Sequence, residues 1–355
     1  MNIGLVRRGY SDTGGAESYL KRFAEALAGE GESCLLFTGR HWKGGWPFGE
    51  VRVVPGESPR AFADSFAALN PRSLCDCVFS LERVWSCDCY RAGDGVHRVW
   101  LERRSRYEPA WKPWFRSLRP RHRALLELES SLFKAEGAPV IIANSNMVKE
   151  EIVRHFGCQP ARIHVIHNGV SPATPPPGLR AAARQRLGLP EEAFVTLFAG
   201  SGWERKGLRF AVAGVLSSAS NPILLVAGRG DATRFRASDR VRFLGPVQDM
   251  ESVLAAADLF LLPTLYDPFS NACLEALAAG LPVITTTANG FAEIIEAGVE
   301  GEILPEPSDA GAVARAIDCW SDPEKRRAIK PRLAEIAGRF TIEANLKATL
   351  AVLRY

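Results

Sequence analysis

Several things are missing from these 355 residues, and each absence removes a class of protein. No apolar run reaches the roughly 20 residues that a bilayer-spanning helix needs. The opening Met1-Asn-Ile-Gly-Leu-Val-Arg-Arg places its basic pair after a short apolar stretch, unlike a secretory leader, so a cytoplasmic chain is expected. No Gly-Lys-Ser or Gly-Lys-Thr occurs, which excludes a P-loop. The first glycine loop, with Gly9, Gly14 and Gly15, is not the dinucleotide pattern Gly-x-Gly-x-x-Gly. No Asp-x-Asp pair is present to chelate a divalent cation. The net charge is only +4, too small to name a polyanionic partner from the whole chain.

What is present fits a soluble globular protein of two domains: 46% hydrophobic residues, 24% charged, and ample length. Eight cysteines include two Cys-x-Cys pairs, Cys75/Cys77 and Cys87/Cys89. Metal binding is one reading of them. The simpler one is small thiols on alternate positions of buried strands, and free thiols suit a cytosolic chain.

Residues 263–298 organise the rest. An apolar run, 258–262, reads as a buried strand ending at Pro263. Ser270 is a natural N-cap, Phe269 and Leu274 can staple the helix that follows, and Gly280 with Pro282 ends it. Residues 283–287 return as a β-branched strand. The amides around 271–273 would stand unpaired at the positive end of the helix dipole, a setting that suits phosphate. Glu275 is the only charge on an otherwise apolar helix, and Asp267 lies eight positions earlier. Two readings stand side by side here: paired carboxylates taking sugar hydroxyls, or a capped turn with a solvated glutamate.

Both halves of the chain alternate strand and helix. Residues 2–6, a glycine loop, a helix after Gly15 and a strand over 33–37 make a βαβ opening, the start of a doubly wound sheet. Gly14-Gly15 reads equally as a close approach to a ligand or as a tight turn. Asp94 and His97 follow a strand end, where ligands sit in open sheets, and both are candidates to handle a hydroxyl proton. Residues 98–123 carry nine Lys or Arg, interleaved with Trp100, Tyr107, Trp111, Trp114 and Phe115. An anionic membrane surface, nucleic acid and a solvated basic loop are the three readings of that segment. A helix is expected from 125. The proline-rich 171–178 reads as the linker. After it, the strand 194–198 leads into a glycine loop and a helix expected to run unbroken from 204 through 216. Arg205 and Lys206 sit at its start, placed to neutralise a diphosphate. Another helix is expected over 291–297, and a last one over 342–355.

The chain resembles the retaining glycosyltransferases of family 4, with the GT-B fold. The resemblance is strongest over 198–207 and 258–296. The family's Glu-x7-Glu motif appears as Asp267-x7-Glu275, with Asp in the first place. The resemblance implies two doubly wound Rossmann-like domains facing across a cleft: 1–170 for the acceptor, 171–340 for the nucleotide sugar, and 341–355 returning to the first domain. It implies Glu275 on the ribose, Asp267 on the transferred sugar, and the amides of Phe269, Ser270 and Asn271 on the distal phosphate and sugar. Arg205 and Lys206 match its diphosphate pair, Gly14 and Gly15 its N-terminal loop, and Val247 its nucleobase contact. Asp94 falls where an acceptor-side acid is expected. A looser similarity to lipopolysaccharide core glucosyltransferases implies transfer of a hexose, with UDP-glucose the first candidate donor, to a lipid-linked saccharide. It also implies peripheral association with the inner face of the plasma membrane through 98–123, no nucleic acid partner, and no metal or other cofactor. A sugar-nucleotide hydrolase or epimerase, and a non-catalytic sugar-nucleotide-binding protein, are the competing expectations.

Overall fold

The structure, a computed structural model, describes residues 1–9, 15–42, 45–109, 119–134, 139–171, 175–235 and 238–354. The chain divides into two compact units: Met1–His167 with Glu343–Tyr355, and Asn168–Ile342.

The first unit is built on one parallel sheet of seven strands. These are β1 (Asn2–Arg7), β2 (Ser33–Thr38), β3 (Gly49–Val53), β4 (Cys77–Ser80), β5 (Cys89–Arg91), β6 (Val140–Ala143) and β7 (Ile163–Val165). Their order is 3-2-1-4-5-6-7. The strand order reverses between β1 and β4, so the switch point lies beyond their carboxyl ends. Short runs such as Ile3-Gly-Leu-Val are buried on both faces because helices cover the sheet. The helices are α1 (Gly15–Gly29), α2 (Pro59–Ala68), α3 (His97–Ser105), α4 (Pro120–Lys134) and α5 (Asn146–Phe156). Leu20, Phe23 and Leu27 turn one face of α1 onto Ile3, Leu5 and Phe79.

The second unit repeats the plan with six strands. They are β8 (Val195–Ala199), β9 (Ile223–Ala227), β10 (Val241–Gly245), β11 (Leu259–Leu261), β12 (Val283–Thr286) and β13 (Gly301–Leu304), in the order 10-9-8-11-12-13. Its switch point lies between β8 and β11. The helices are α6 (Leu179–Arg186), α7 (Trp203–Lys206), α8 (Leu208–Ser217), α9 (Met250–Ala256), α10 (Asn271–Ala278), α11 (Ala310–Cys319) and α12 (Pro323–Gly338). The last helix, α13 (Ile342–Leu353), belongs with the first unit. Leu350 and Leu353 join its core, and Thr349 Oγ1 lies 3.2 Å from the Tyr19 hydroxyl.

Three local expectations need correction. The helix expected over 204–216 is broken at Gly207, whose φ of +76° ends α7 and starts α8. The helix expected over 291–297 is a short 3-10 turn, Gly290–Ile294, because the Asn289 side chain captures the Phe291 amide and tightens the turn. The helix expected from 125 already begins at Pro120, where proline suits a first turn. The basic stretch is therefore partly helical, on α3 and α4, and not a loop throughout. Part of its charge is neutralised by nearby glutamates, in Arg104–Glu108 (2.8 Å) within the stretch and Arg123–Glu127 (3.1 Å) just beyond it. Trp111, Trp114 and Phe115 lie outside the described residues.

The eight cysteines are free. Seven are buried or half-buried and Cys319 is exposed. Among the described residues no group of three or more His, Cys, Asp or Glu side chains could hold a metal ion, and no helix is long and apolar enough to cross a membrane.

Candidate active site

The two parts of the site in the second unit follow β8 and β11, the strands flanking its switch point. From β8 the chain runs through Gly200 and Gly202 into α7, which carries Arg205 and Lys206. From β11 it runs into the loop 263–270, which ends at the N-cap of α10.

Hydrogen bonds fix these segments to each other. The Arg205 carbonyl accepts from the Leu265 amide (2.9 Å) and from Thr264 Oγ1 (2.8 Å). The loop is tied to β12 in turn. Thr285 Oγ1 donates to the Leu262 carbonyl (3.0 Å) and Thr286 Oγ1 to that of Thr264 (2.7 Å). These hydroxyls are fully buried, and each is spent on a loop carbonyl that β-ladders do not reach. Asp267 is pinned on both sides: its amide donates to Ala288 O and its carbonyl accepts from Gly290 N, each at 2.9 Å.

Gly207 makes the close approach of α7 feasible. A Cβ there would lie 1.9 Å from the Pro263 carbonyl oxygen. With none, Lys206 reaches Asp267, and Nζ donates to Oδ2 in a salt bridge whose side chains are 12% and 6% exposed. The Lys206 stem passes over Gly200. Arg205 is half-buried beside it, with Nη1 at 3.4 Å from the Tyr266 carbonyl. The structure thus brings Arg205, Lys206 and Asp267 together from segments some 60 positions apart.

The α10 end differs from expectation in two ways. The Cys273 amide is taken by the Ser270 hydroxyl (3.3 Å), and the Ser270 amide by Asn289 Oδ1 (3.2 Å). The Asn271 and Ala272 amides lie ahead of the first helical bond, from Leu274 N to Ser270 O at 3.2 Å. Phe269 is buried, stacked edge-on against Phe291 at 6.0 Å. Glu275 was expected on a helix buried nearly all round. It is exposed instead, on one stripe with Asn271, while Cys273, Leu274, Ala276 and Leu277 face the core. A run of alanines hides this stripe from sequence reading, since alanine suits either side. Val247 is half-buried against the same core, in the turn between β10 and α9.

Gly14 lies outside the described residues; Gly15 opens α1. Asp94 sits in a turn after β5, 57% exposed, with Arg83 Nη1 at 3.8 Å and Arg7 Nη1 at 4.0 Å. That turn is braced from three elements. Asn144 Nδ2 donates to the Gly93 carbonyl (3.3 Å), and Arg83 Nη2 to that of Gly95 (2.8 Å). Glu129, fully buried on α4, pairs with Arg83 (3.0 Å) and accepts from the amides of His97 and Arg98 at the start of α3.

His97 stacks on His122, with Nε2 at 3.0 Å from Nδ1. Burial, then the Arg83 guanidinium, push its pKa down to about 3. The imidazole is therefore neutral at physiological pH and poorly matched to general-base work there.

Sequence reading missed Asn289 and Asn168. Asn289 Oδ1 serves both Ser270 N and Phe291 N while Nδ2 donates to Thr285 Oγ1 (2.9 Å). Asn168 Nδ2 donates to Asn271 Oδ1 (2.7 Å) and to the Phe269 carbonyl (3.3 Å). Each precedes a glycine, which marked a turn but not its distant partner.

Two doubly wound parallel sheets, the second with a cation pair and an acid at its switch point, define a GT-B fold. The structure of WaaG, a glycosyltransferase involved in lipopolysaccharide biosynthesis, superposes with a TM-score of 0.85 at 22% identity, covering 99% of each chain. Anabaena HepE in complex with UDP and glucose superposes with a TM-score of 0.72 at 19% identity, covering 100% of this chain and 99% of that one. Residues 193–322 match the family described as glycosyl transferases group 1, and residues 91–174 match glycosyltransferase family 4. A D-inositol 3-phosphate glycosyltransferase of Mycobacterium sp. (strain KMS) is 30% identical over 88% of this chain and 79% of its own length. The lipopolysaccharide glucosyltransferase WaaG of Escherichia coli (strain K12) is 24% identical over 84% and 83%. The chain belongs to this glycosyltransferase family, group 1 and family 4, and is an enzyme of that class.

Proposed function

We infer that the enzyme transfers a hexose, with retention of anomeric configuration, from a nucleoside-diphosphate sugar to a lipid-linked saccharide. UDP-glucose is the first candidate donor. The observation that carries this reading is the Lys206–Asp267 ion pair with Arg205 beside it, at the switch point of the second unit. A leaving diphosphate gains negative charge as the glycosidic bond breaks, and two preorganised cations stabilise it without reorganisation. Asp267 holds the Lys206 ammonium in place and presents its second oxygen to a sugar hydroxyl. Glu275, exposed one turn into α10, takes the ribose. The departing phosphate accepts the proton of the acceptor hydroxyl on the same face, so neither an enzyme nucleophile nor a metal enters the reaction. Asp94, braced in the first unit, serves the acceptor.

The acceptor class is supported by the family and by residues 98–123, whose cations and aromatics suit an anionic membrane surface. Of the relatives, one is named for lipopolysaccharide and another for D-inositol 3-phosphate. The basic aromatic segment favours the former kind of acceptor, at the cytoplasmic face of a membrane.

A thermal-shift panel of UDP-, ADP-, GDP- and CDP-sugars tests the donor. A ligand at about a hundred times its Kd adds roughly 2.7 kcal/mol of stability. Radiolabel from the bound donor should then enter a lipid-extractable product on acceptor-loaded anionic vesicles, with the anomer read by NMR. No shift with any sugar nucleotide would sink the reading. Donor turnover without acceptor would make the enzyme a hydrolase or epimerase instead.

A further inference from the structure

The outer edge of β3 is open. The strand stands last in its sheet and pairs only with β2, in parallel, from Cys34↔Gly49 to Thr38↔Val53. The Val54 amide donates to the Thr38 carbonyl (2.7 Å), so the backbone groups of the even-numbered residues address β2. Those of Gly49, Val51 and Val53 point away from the sheet, and among the described residues nothing bonds to them. The same strand carries exposed apolar side chains. Of the four large ones standing exposed among the described residues, two are Val51 (39%) and Val53 (54%). An edge with unpaired donors and acceptors is a template for another strand.

Natural sheets often guard such an edge with charge, and β3 carries Glu50 and Arg52. Their signs and spacing select a partner instead. The two share one face, and Arg52 Nη2 lies 2.9 Å from Glu50 Oε1 along the strand. A second β3 laid alongside antiparallel must set odd residues opposite odd ones, because only those have groups to exchange. The registers then differ in what the charges meet. Centred on Glu50, glutamate faces glutamate; centred on Arg52, arginine faces arginine, and like charges directly opposite are destabilising. Centred on Val51, the two Val51 backbones exchange both hydrogen bonds, and Gly49 of each copy exchanges with Val53 of the other. Each Glu50 then lies opposite Arg52 of the second copy, on the closer, non-hydrogen-bonded positions, about 4.5 Å between Cα atoms. The four charges alternate in sign around a square, and the valines line up on the other face.

We propose that the β3 edge joins two copies of this chain, antiparallel and centred on Val51, so that two seven-stranded sheets run on as one. The strand is five residues long, and by itself buries less than the roughly 1,200 Å² of a standard stable interface. The dimer is therefore weak and concentration-dependent. Glu50 and Arg52 set its register and exclude the neighbouring ones.

Sedimentation velocity of the full chain tests it, from low micromolar to a few hundred micromolar protein. The wild type should move from monomer towards dimer as concentration rises. Glu50→Arg alone, or Arg52→Glu alone, sets like charges opposite and should weaken the dimer at least tenfold. Glu50→Arg combined with Arg52→Glu restores the opposite pairs and should bring the affinity back to within about threefold of wild type. Both side chains reach solvent, so the melting temperature should hold in all three variants. Amide hydrogen exchange gives an independent reading. Val51 and Val53 should exchange more slowly at the highest concentration, while Arg52, whose amide already faces β2, should not change. A wild type that stays monomeric throughout overturns the proposal. So does a dimer that the single reversals leave intact or that the double reversal fails to restore, since either places the interface elsewhere.

Discussion

Lys206 and Asp267 meet across 61 positions of sequence in a salt bridge almost closed to solvent. An ion pair so buried is held by geometry, and removing one partner strands the other's charge, at about 3–5 kcal/mol. Lys206→Ala and Asp267→Asn should each lower kcat at least a hundredfold and lower Tm. The double variant should be scarcely slower than either single one, because the two act as a unit. Steady-state kinetics and melting curves over the four-member cycle check this. Unchanged turnover in Lys206→Ala would remove its assigned role.

Gly207→Ala should damage the site without touching a charged group. The substitution forces alanine to a φ of +76°, at about 1–2 kcal/mol, and drives a methyl into the Pro263 carbonyl. The loop must then retreat from α7, and Asp267 with it. A loss of kcat well beyond what the drop in Tm explains is the expected result.

Glu275 offers the opposite case. Its side chain is exposed, so Glu275→Gln should leave Tm nearly unchanged. If it binds the ribose, the loss of charged hydrogen bonds, about 1.5–3 kcal/mol, raises the donor Kd roughly tenfold or more. Equal UDP affinity in variant and wild type would free Glu275 from that assignment.

His97 makes acid stability pH-dependent. Its folded pKa of about 3 lies below the ordinary 6.5, so between those values the unfolded chain holds a proton that the folded chain lacks. Stability is unaffected above pH 6.5 and falls as pH drops below it, by up to about 1.4 kcal/mol per pH unit from this residue. His97→Gln should flatten that part of the Tm profile. A profile unchanged from wild type would show that His97 titrates normally.

The thiols give a test of packing. Burial pushes Cys34 and Cys77 up to about 11 and Cys273 up to about 12, so little thiolate exists at neutral pH. Cys319 is exposed. A disulfide reagent should titrate one thiol quickly in the native protein and the other seven only on unfolding.

Much of the fold was legible because it rests on short-range causes. Apolar runs marked strands such as β1, β2, β8, β11 and β12, and Ser270 and Gly280 marked the ends of α10. Those signals depend on backbone conformation and burial within one segment. The motif around Asp267 and Glu275, with Arg205 and Lys206, was equally legible, as residue types at a spacing.

What joins those residues was not. The break at Gly207 is required by the Pro263 carbonyl, an atom from a loop 56 positions away that no local window contains. The exposed stripe of α10 depended on which side the core lies. The Asn289 and Thr286 bonds and the brace from Glu129 to His97 all cross the chain. Sequence alone set the list of elements and the chemistry available at their ends. Long-range packing set which of those groups share a carboxylate, which are stripped of water, and so which are equipped to hold a phosphate.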